Sequence, residues 1–148
     1  MNSKDNRPVY TIATAAELLG VHPRTLRLYE AAGLIKPARR NNRRIYSNND
    51  LRWIRCIRHL IHEQGLNQEG IRRLLALMPC WEIRGCPSEQ YQRCEARRDR
   101  TTPCWAIASM TCRQEQKCHT CDVYLRARER LLDESELRRV DEQAPELP

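Results

Sequence analysis

Apolar residues recur at helical spacing from Thr11 onward, in two short runs that a turn separates. The apolar positions of the first run are Ala15, Leu18, Leu19 and Val21. Gly20 is placed to end this helix, because glycine adopts the left-handed conformation at little cost. Pro23 suits the first position of a second helix, in which Leu26 and Tyr29 share one face. The pattern therefore predicts two consecutive short helices.

A basic hairpin is predicted after the second helix. Gly33 ends that helix, and residues 34–37 form an extended exit. Residues 39–46 carry four arginines around Asn41-Asn42, a pair that suits a tight turn because Asn tolerates positive φ. Two helices followed by such a hairpin are typical of a winged helix-turn-helix.

Two further amphipathic helices follow the hairpin. Ser47 is a good N-cap for the first, at about 48–64, which Gly65 closes. Its predicted buried stripe is Leu51, Ile54, Ile57 and Ile61. The second runs over about 67–77 and stops at Pro79. Its predicted core-facing positions are Ile71, Leu74, Leu75 and Met78.

The chain then loses this regularity until residue 122. Residues 80–121 hold few aliphatic side chains, so they cannot fold by burial alone and need cross-links or metal. We predict a mainly α fold made of five consecutive units. These are a disordered arm (1–8), a winged helix-turn-helix (9–78), an irregular, metal-stapled Cys-rich lobe (79–121), a helix that could serve dimerisation (122–140) and a disordered tail (141–148).

Charge divides along the same boundary. The 148 residues contain 26 Lys and Arg against 19 Asp and Glu, a net charge of +7. Residues 1–79 hold fourteen basic and six acidic groups, a net of +8, and residues 80–148 hold twelve and thirteen, a net of −1. A basic first half suits a polyanionic partner. With no apolar run long enough for a membrane helix and no secretory signal, we expect a cytoplasmic protein.

The basic residues of the second helix and of the hairpin are the candidate DNA contacts. On the helix, arginine can bind guanine and threonine can touch a thymine methyl group in the major groove. On the hairpin, arginine can grip phosphates, and tyrosine could pack or touch a phosphate. The candidates are Arg24, Thr25, Arg27, Arg39, Arg40, Arg43, Arg44 and Tyr46.

These segments resemble the MerR family of bacterial transcriptional regulators, and most closely its heat-shock-repressor branch. The resemblance covers residues 9–78. It is carried by Thr11-Ile12-Ala13, Ala15-Ala16-Glu17-Leu18-Leu19-Gly20-Val21, Thr25-Leu26-Arg27-Leu28-Tyr29-Glu30, Gly33-Leu34-Ile35, Arg43-Arg44-Ile45-Tyr46, Asp50-Leu51, Gly65-Leu66 and Ile71-Arg72-Arg73-Leu74-Leu75. The family implies a homodimer on a two-fold double-stranded DNA operator, with RNA polymerase as a partner at the promoter. Its dimerisation helix follows the second wing; here Pro79-Cys80 interrupts that position, so the helix is shorter or displaced to 122–140.

The second half of the chain concentrates the cysteines. Seven of the eight lie in the Cys-rich lobe, at Cys80, Cys86, Cys94, Cys104, Cys112, Cys118 and Cys121. A loose repeat places Cys80-Trp81 and Cys104-Trp105 in like contexts, offset by 24 residues. Cys56 stands apart on the long helix, nearly opposite Ile54, and we interpret it as a bystander.

Three chemistries compete for these thiols. An iron–sulfur cluster needs about four thiolates converging from loops. Zinc takes four tetrahedral thiolates, or thiolates with His, but zinc knuckles usually show two CxxC pairs and only Cys118-x2-Cys121 qualifies here. Reversible disulfides are the third chemistry. We favour a cysteine-ligated centre, iron–sulfur ahead of zinc, with Cys118 and Cys121 as ligands.

The sequence thus predicts a regulator that binds DNA and senses redox state or metal through its cysteines. A zinc-stapled interaction module and an iron–sulfur electron carrier are the alternatives. Enzymatic function is not expected, because no catalytic constellation and no Gly-rich loop stands out.

Overall fold

The computed structural model describes residues 3–78, 80–85, 92, 94, 98–107, 118 and 121–143. The strands are β1 (Tyr10–Thr11), β2 (Ala38–Arg40) and β3 (Arg43–Tyr46). The helices described are α1 (Ile12–Leu19), α2 (Pro23–Ala31), α3 (Asn48–His62), α4 (Gln68–Ala76), α5 (Cys80–Arg84), α6 (Asp122–Leu125), α7 (Ala127–Leu131) and α8 (Glu134–Glu142). Two 3-10 turns occupy Ser3–Asn6 and Cys104–Ala106. The predicted mainly α fold is confirmed.

The caps that the sequence predicts define the N-terminal helices. Gly20 adopts a left-handed φ of 66° behind α1, and its backbone N–H bonds back to the last turn. The hydroxyl of Ser47 accepts from the Asp50 backbone while the Asp50 carboxylate accepts from Ser47, a complete capping box at the start of α3. Each predicted helix of this half therefore exists, with ends shifted by one or two residues.

A three-stranded antiparallel sheet with the order β1-β3-β2 completes the N-terminal half. The predicted hairpin is its β2–β3 unit, and β1 is an addition that the sequence analysis missed. Tyr10 pairs with Tyr46 and Thr11 with Ile45. Two residues are too short a run to show strand alternation, so only their long-range pairing identifies β1.

The N-terminal arm is more ordered than expected. We predicted disorder over residues 1–8, but Ser3–Asn6 form a 3-10 turn against α3. Arg52 of α3 donates to the Asp5 carboxylate at 2.9 Å, a half-buried ion pair that holds the turn in place. The prediction of a disordered arm is wrong for the described part of that segment.

The predicted continuous helix over 122–140 is also wrong. The chain folds there as α6, α7 and α8, with breaks at Arg126 and at Leu132-Asp133. Asp133 accepts from the Glu136 backbone in a second capping box, so α8 starts afresh and runs to Glu142, into the predicted tail. Residues 144–148 lie outside the described residues.

One hydrophobic core joins the two halves of the chain. Trp105, Tyr124 and Val140 belong to the same buried cluster as Leu26 and Leu51 of the N-terminal half. The C-terminal helices also contact α3. Leu51, Ile54 and Ile57 of its predicted stripe are buried, together with Trp53 and Cys56, whereas Ile61 is only partly buried. Cys56 is therefore a core side chain, and burial raises the pKa of its thiol to about 12.

The surface of α4 departs from its predicted pattern. Ile71, Leu75 and Met78 are buried as expected, but Leu74 is 41% exposed. No helix in the described part of the chain combines the length and the apolar character that a membrane span requires.

Candidate nucleic-acid interface and its link to the cysteine lobe

The buried side chains of α2 determine which of its residues face outward. Leu26 and Tyr29 are buried in the core. His22 caps the helix, because its Nδ1 accepts from the Arg24 backbone at 3.0 Å. The exposed positions then follow i, i+3, i+4, i+7 spacing, and they are Arg24, Arg27, Leu28 and Ala31. Thr25 is half-buried beside them.

Leu28 is the residue on this face that the sequence analysis missed. Its side chain is 49% exposed, although leucine is among the residues most often buried. It lies one helical turn from Arg24, so an element that places Arg24 in a groove brings Leu28 to the same base pairs. An apolar side chain there can contact a thymine methyl group. The sequence could have indicated Leu28, because it lies four residues after Arg24 and so on the same helical face.

The hairpin formed by β2 and β3, which we call the wing, carries four arginines in two cross-strand pairs. Its turn residues Asn41 and Asn42 have φ values of 51° and 66°, the left-handed pair of a type I′ turn. The register places Arg39 opposite Arg44, and Arg40 opposite Arg43. Like charges directly opposite destabilise a sheet. Repulsion between the paired arginines destabilises the isolated hairpin, and a bound polyanion would relieve it.

Glu30 of α2 divides the four arginines into two kinds. Its carboxylate accepts from Arg39 Nη2 at 2.9 Å and from Arg44 Nε. Arg39 and Arg44 therefore tie the wing to α2, the helix whose outer face bears Arg24. Arg40 and Arg43 lie exposed at the wing tip. The structure thus places the predicted arginine and threonine contacts on two elements that the Glu30 carboxylate links.

Tyr46 does not belong to this surface. Its side chain is 0% exposed, and burial raises the pKa of its hydroxyl. The phosphate contact that we considered for Tyr46 is wrong, and its role is packing. The β1–β3 pairing directs this end of β3 into the core, which explains the burial.

An aromatic side chain of the Cys-rich lobe is hydrogen-bonded to the segment that follows α2. Trp105 Nε1 donates to the Gly33 carbonyl oxygen at 2.9 Å, and Trp53 Nε1 donates to that of Leu34 at 2.8 Å. Gly33 has a φ of 79°, and a Cβ on it would meet the Ala106 Cβ at 3.1 Å. Glycine is thus required both by the turn and by the close approach of the segment that follows Cys104.

A second contact holds both ends of the wing at one atom. The Tyr124 hydroxyl accepts from the Lys36 backbone N–H at 3.1 Å, and it donates to the Asp50 carboxylate at 2.8 Å. Lys36 precedes β2 and Asp50 follows β3. Tyr124 packs edge-on against Trp105, with ring centroids 5.2 Å apart. We call Trp105 and Tyr124 the aromatic latch.

Asp50 is the most unusual carboxyl group of this network. It is fully buried, and burial raises its pKa from 3.8 to about 6. Hydrogen bonds from the Ser47 backbone, the Tyr124 hydroxyl and the Ser47 side chain act in the opposite direction by stabilising the charged form. The ionised state at neutral pH therefore depends on donors from both halves of the chain.

Four described cysteines of the Cys-rich lobe pack against the core that contains this latch, namely Cys80, Cys104, Cys118 and Cys121. Cys80, Cys94 and Cys104 pack against Ile107. Cys121 donates its backbone N–H to the Cys118 carbonyl oxygen at 3.0 Å, three residues before Tyr124. Cys86 and Cys112 lie outside the described residues. Within the described part of the chain, no three His, Cys, Asp or Glu side chains are arranged to hold a metal ion.

Comparison with known proteins decides the family of the first half. The model of the MerR HTH family regulatory proteins matches residues 10–77. Residues 10–77 are a MerR-family helix-turn-helix domain. The match ends before the first cysteine of the Cys-rich lobe.

Several regulators are similar to this MerR-family domain. HspR of Streptomyces coelicolor is 42% identical over 74 residues, which is 49% of this chain and 49% of that protein. GlnR of Bacillus cereus is 35% identical over 71 residues, 47% of this chain and 54% of that protein. HmrR of Sinorhizobium medicae is 40% identical over 68 residues, 45% of this chain and 46% of that protein. The chain spans about half the length of the curated relatives it matches.

Proposed function

We propose that this protein is a sequence-specific DNA-binding transcriptional regulator, with α2 in the major groove and the wing on the phosphate backbone. The observation that carries the proposal is the exposed basic surface that Glu30 organises. Arg24, Arg27 and Leu28 face outward on α2, and Arg40 and Arg43 project from the wing tip. The similarity to HspR, GlnR and HmrR supports the same reading of this surface.

The test of this proposal separates phosphate contacts from base contacts. Arg43→Ala should weaken binding to every duplex and reduce the slope of log K against log salt by about one, as the loss of one phosphate contact requires. Arg24→Ala should instead relax preference at one base pair, at a cost of about 1–3 kcal/mol. Arg138→Ala, on the exposed face of α8, is the matched control for charge. A slope unchanged by Arg43→Ala, or changed equally by Arg138→Ala, would contradict the wing assignment.

Homodimeric binding to a two-fold operator belongs to the same proposal. A single recognition helix covers too few base pairs for a specific site, so two copies are needed. Light scattering should give a dimer on the operator, and a 1:1 complex would refute this part. RNA polymerase remains a predicted partner at the promoter.

We further propose that the Cys-rich lobe senses redox state or metal and passes the signal through the aromatic latch. Thiolates suit both zinc and iron–sulfur chemistry, and we retain iron–sulfur ahead of zinc as the predicted centre. The seven cysteines of the lobe would hold it, Cys118 and Cys121 among them. A relative named heavy metal-dependent transcription regulator 2, from Rhizobium meliloti, is 38% identical to this chain over 68 residues, and its name favours a metal signal.

The contacts give such a signal a short path to DNA. Trp105 directly follows Cys104, and Tyr124 lies three residues after Cys121. A change in the bonding of these cysteines would shift the aromatic latch, and with it the exit of α2 and both ends of the wing. Metal and labile-sulfide analysis of protein purified without oxygen tests the centre itself. Cys121→Ser should lower the metal content, and Trp105→Phe should leave the metal content intact while it uncouples DNA affinity from metal loading.

Neither alternative function accounts for the interface. An electron carrier would lack salt-dependent duplex binding, so a failure of the Arg43 experiment together with a visible iron–sulfur spectrum would favour that alternative. Zinc without a chromophore and without duplex binding would favour the interaction module.

A further inference from the structure

A groove of about 420 Å³ lies between α1, α3 and α8, apart from the DNA-facing surface described above. Its α3 wall consists of basic side chains at i, i+3, i+4, i+7 spacing. They are Arg55, Arg58, His59 and His62. Apolar side chains from the other two helices complete it, namely Leu18 and Leu19 of α1 and Val140 of α8. Glu63 and Gln143 also line the groove, so polar side chains outnumber apolar ones. A volume of several hundred cubic ångströms lies in the range of small-molecule sites.

Two nitrogen atoms on the basic wall lack an acceptor. Arg55 Nη2 and His59 Nε2 are buried, and neither has a hydrogen-bond partner among the described residues. Buried donors are nearly always paired in native proteins, so each of these indicates a missing acceptor. Both side chains line the groove, so an oxygen anion bound there would offer these nitrogen atoms an acceptor.

The acidic groups nearby do not neutralise this wall. Glu63 lines the groove but is exposed at its rim, and Asp141 of α8 is engaged by Arg128 at 3.6 Å. Burial lowers the pKa of Arg55, against the attraction of Asp141. Arg55 thus loses hydration without forming an ion pair among the described residues, which is the arrangement expected of a group that binds an anion.

We propose that this groove binds a small molecule that carries a carboxylate or phosphate group on an apolar body. The anionic group would lie against Arg55, Arg58 and His59. The apolar body would pack on Leu18, Leu19 and Val140. Because α1 belongs to the helix-turn-helix and α8 to the C-terminal half, such a ligand would bridge the same two parts of the chain as the aromatic latch, from the opposite end of α3.

Isothermal titration of the full-length protein without DNA tests the site independently of the proposed function. The probes are octanoate and octyl phosphate, with octanol as the uncharged match and inorganic phosphate as the anion without an apolar body. We expect one of the two amphiphilic anions to bind saturably, with octanol and inorganic phosphate each weaker by about tenfold or more. Equal binding of octanol, or no saturable binding by either amphiphile, overturns the proposal.

Variants then locate the bound anion. Arg58→Gln and His59→Gln should each weaken binding by about tenfold, the loss expected for one hydrogen bond to a charged group. Arg58 is half-buried at the groove, so its substitution keeps the core intact, and circular dichroism checks the fold of both variants. Arg138→Gln removes the same charge from the exposed face of α8 and should leave affinity unchanged. Equal effects of Arg58→Gln and Arg138→Gln would show general charge attraction and would refute the site.

Discussion

The Tyr124 hydroxyl is the contact whose removal tests the link between the two halves most directly. Tyr124→Phe deletes one oxygen atom and leaves the ring against Trp105. The Asp50 carboxylate then loses one of its donors, and the Lys36 N–H loses its acceptor. A hydrogen bond to a charged group contributes about 1.5–3 kcal/mol, and an orphaned buried amide costs about 1–3 kcal/mol. We expect a loss of about 3 kcal/mol in the free energy of unfolding at pH 8.

The effect should depend on pH because Asp50 titrates. Its folded pKa of about 6 lies above the unfolded value of 3.8, so the folded state binds the proton more tightly. Asp50 therefore contributes stability at low pH that is lost as the pH rises through about 6, on the order of 3 kcal/mol in total. Tyr124→Phe removes a donor to the charged form and raises this pKa further. The deficit of the variant should accordingly be larger at pH 8 than at pH 5.

Tyr46→Phe is the matched control. Tyr46 is a second fully buried tyrosine, but its hydroxyl has no hydrogen-bond partner among the described residues. Removal of an unsatisfied hydroxyl should be neutral or slightly stabilising at both pH values. Urea denaturation followed by tryptophan fluorescence measures all three proteins. Equal stabilities of the two variants, or a Tyr124→Phe deficit that is the same at pH 5 and pH 8, would refute the network.

Three further outcomes are expected. Glu30→Gln releases Arg39 and Arg44 from α2, so discrimination between operator and random duplex in anisotropy titrations should fall while non-specific affinity holds or rises. Asn42→Val places a β-branched residue at a φ of 66° and should cost about 1–2 kcal/mol in urea denaturation, whereas Asn42→Gly should be nearly neutral. Cys56 should resist iodoacetamide in the native protein and react after unfolding, as peptide mass mapping would show, since burial raises its thiol pKa to about 12.

Local sequence signals predicted the N-terminal half well because the residues that bound its helices and its turn act through short-range contacts. Gly20, Ser47 and the Asn41-Asn42 turn act through backbone groups within four residues, so their roles can be inferred without knowledge of the fold. The exposed arginines of α2 follow from the helical period once the buried face is known. The division of the wing arginines by Glu30 does not follow, because it joins positions nine and fourteen residues apart on different elements.

The C-terminal half escaped prediction for the converse reason. A helix over 122–140 fits the composition, but Asp133 starts a new capping box within it, and the segments pack on α3 rather than on each other alone. The buried faces of α3 were likewise underestimated. The burial of Leu51, Ile54 and Ile57 was predicted, and Ile61 is only partly buried. The burial of Trp53 and Cys56 was not predicted.

The packing of the C-terminal half against the N-terminal half changes the role that we propose for the cysteines. If the Cys-rich lobe were a separate unit, loss of a metal bound there would leave the N-terminal half unaltered. Trp105 and Tyr124 are instead part of the core beneath α2 and the wing, and one hydroxyl holds the residues that enter and leave the wing hairpin. The wing carries Arg40 and Arg43 at its tip, so a small displacement at its base would become a larger displacement of these two side chains. Under the proposed function, a thiol-borne signal would therefore need no long dimerisation helix to reach DNA, because Cys104 and Cys121 lie one and three residues from Trp105 and Tyr124.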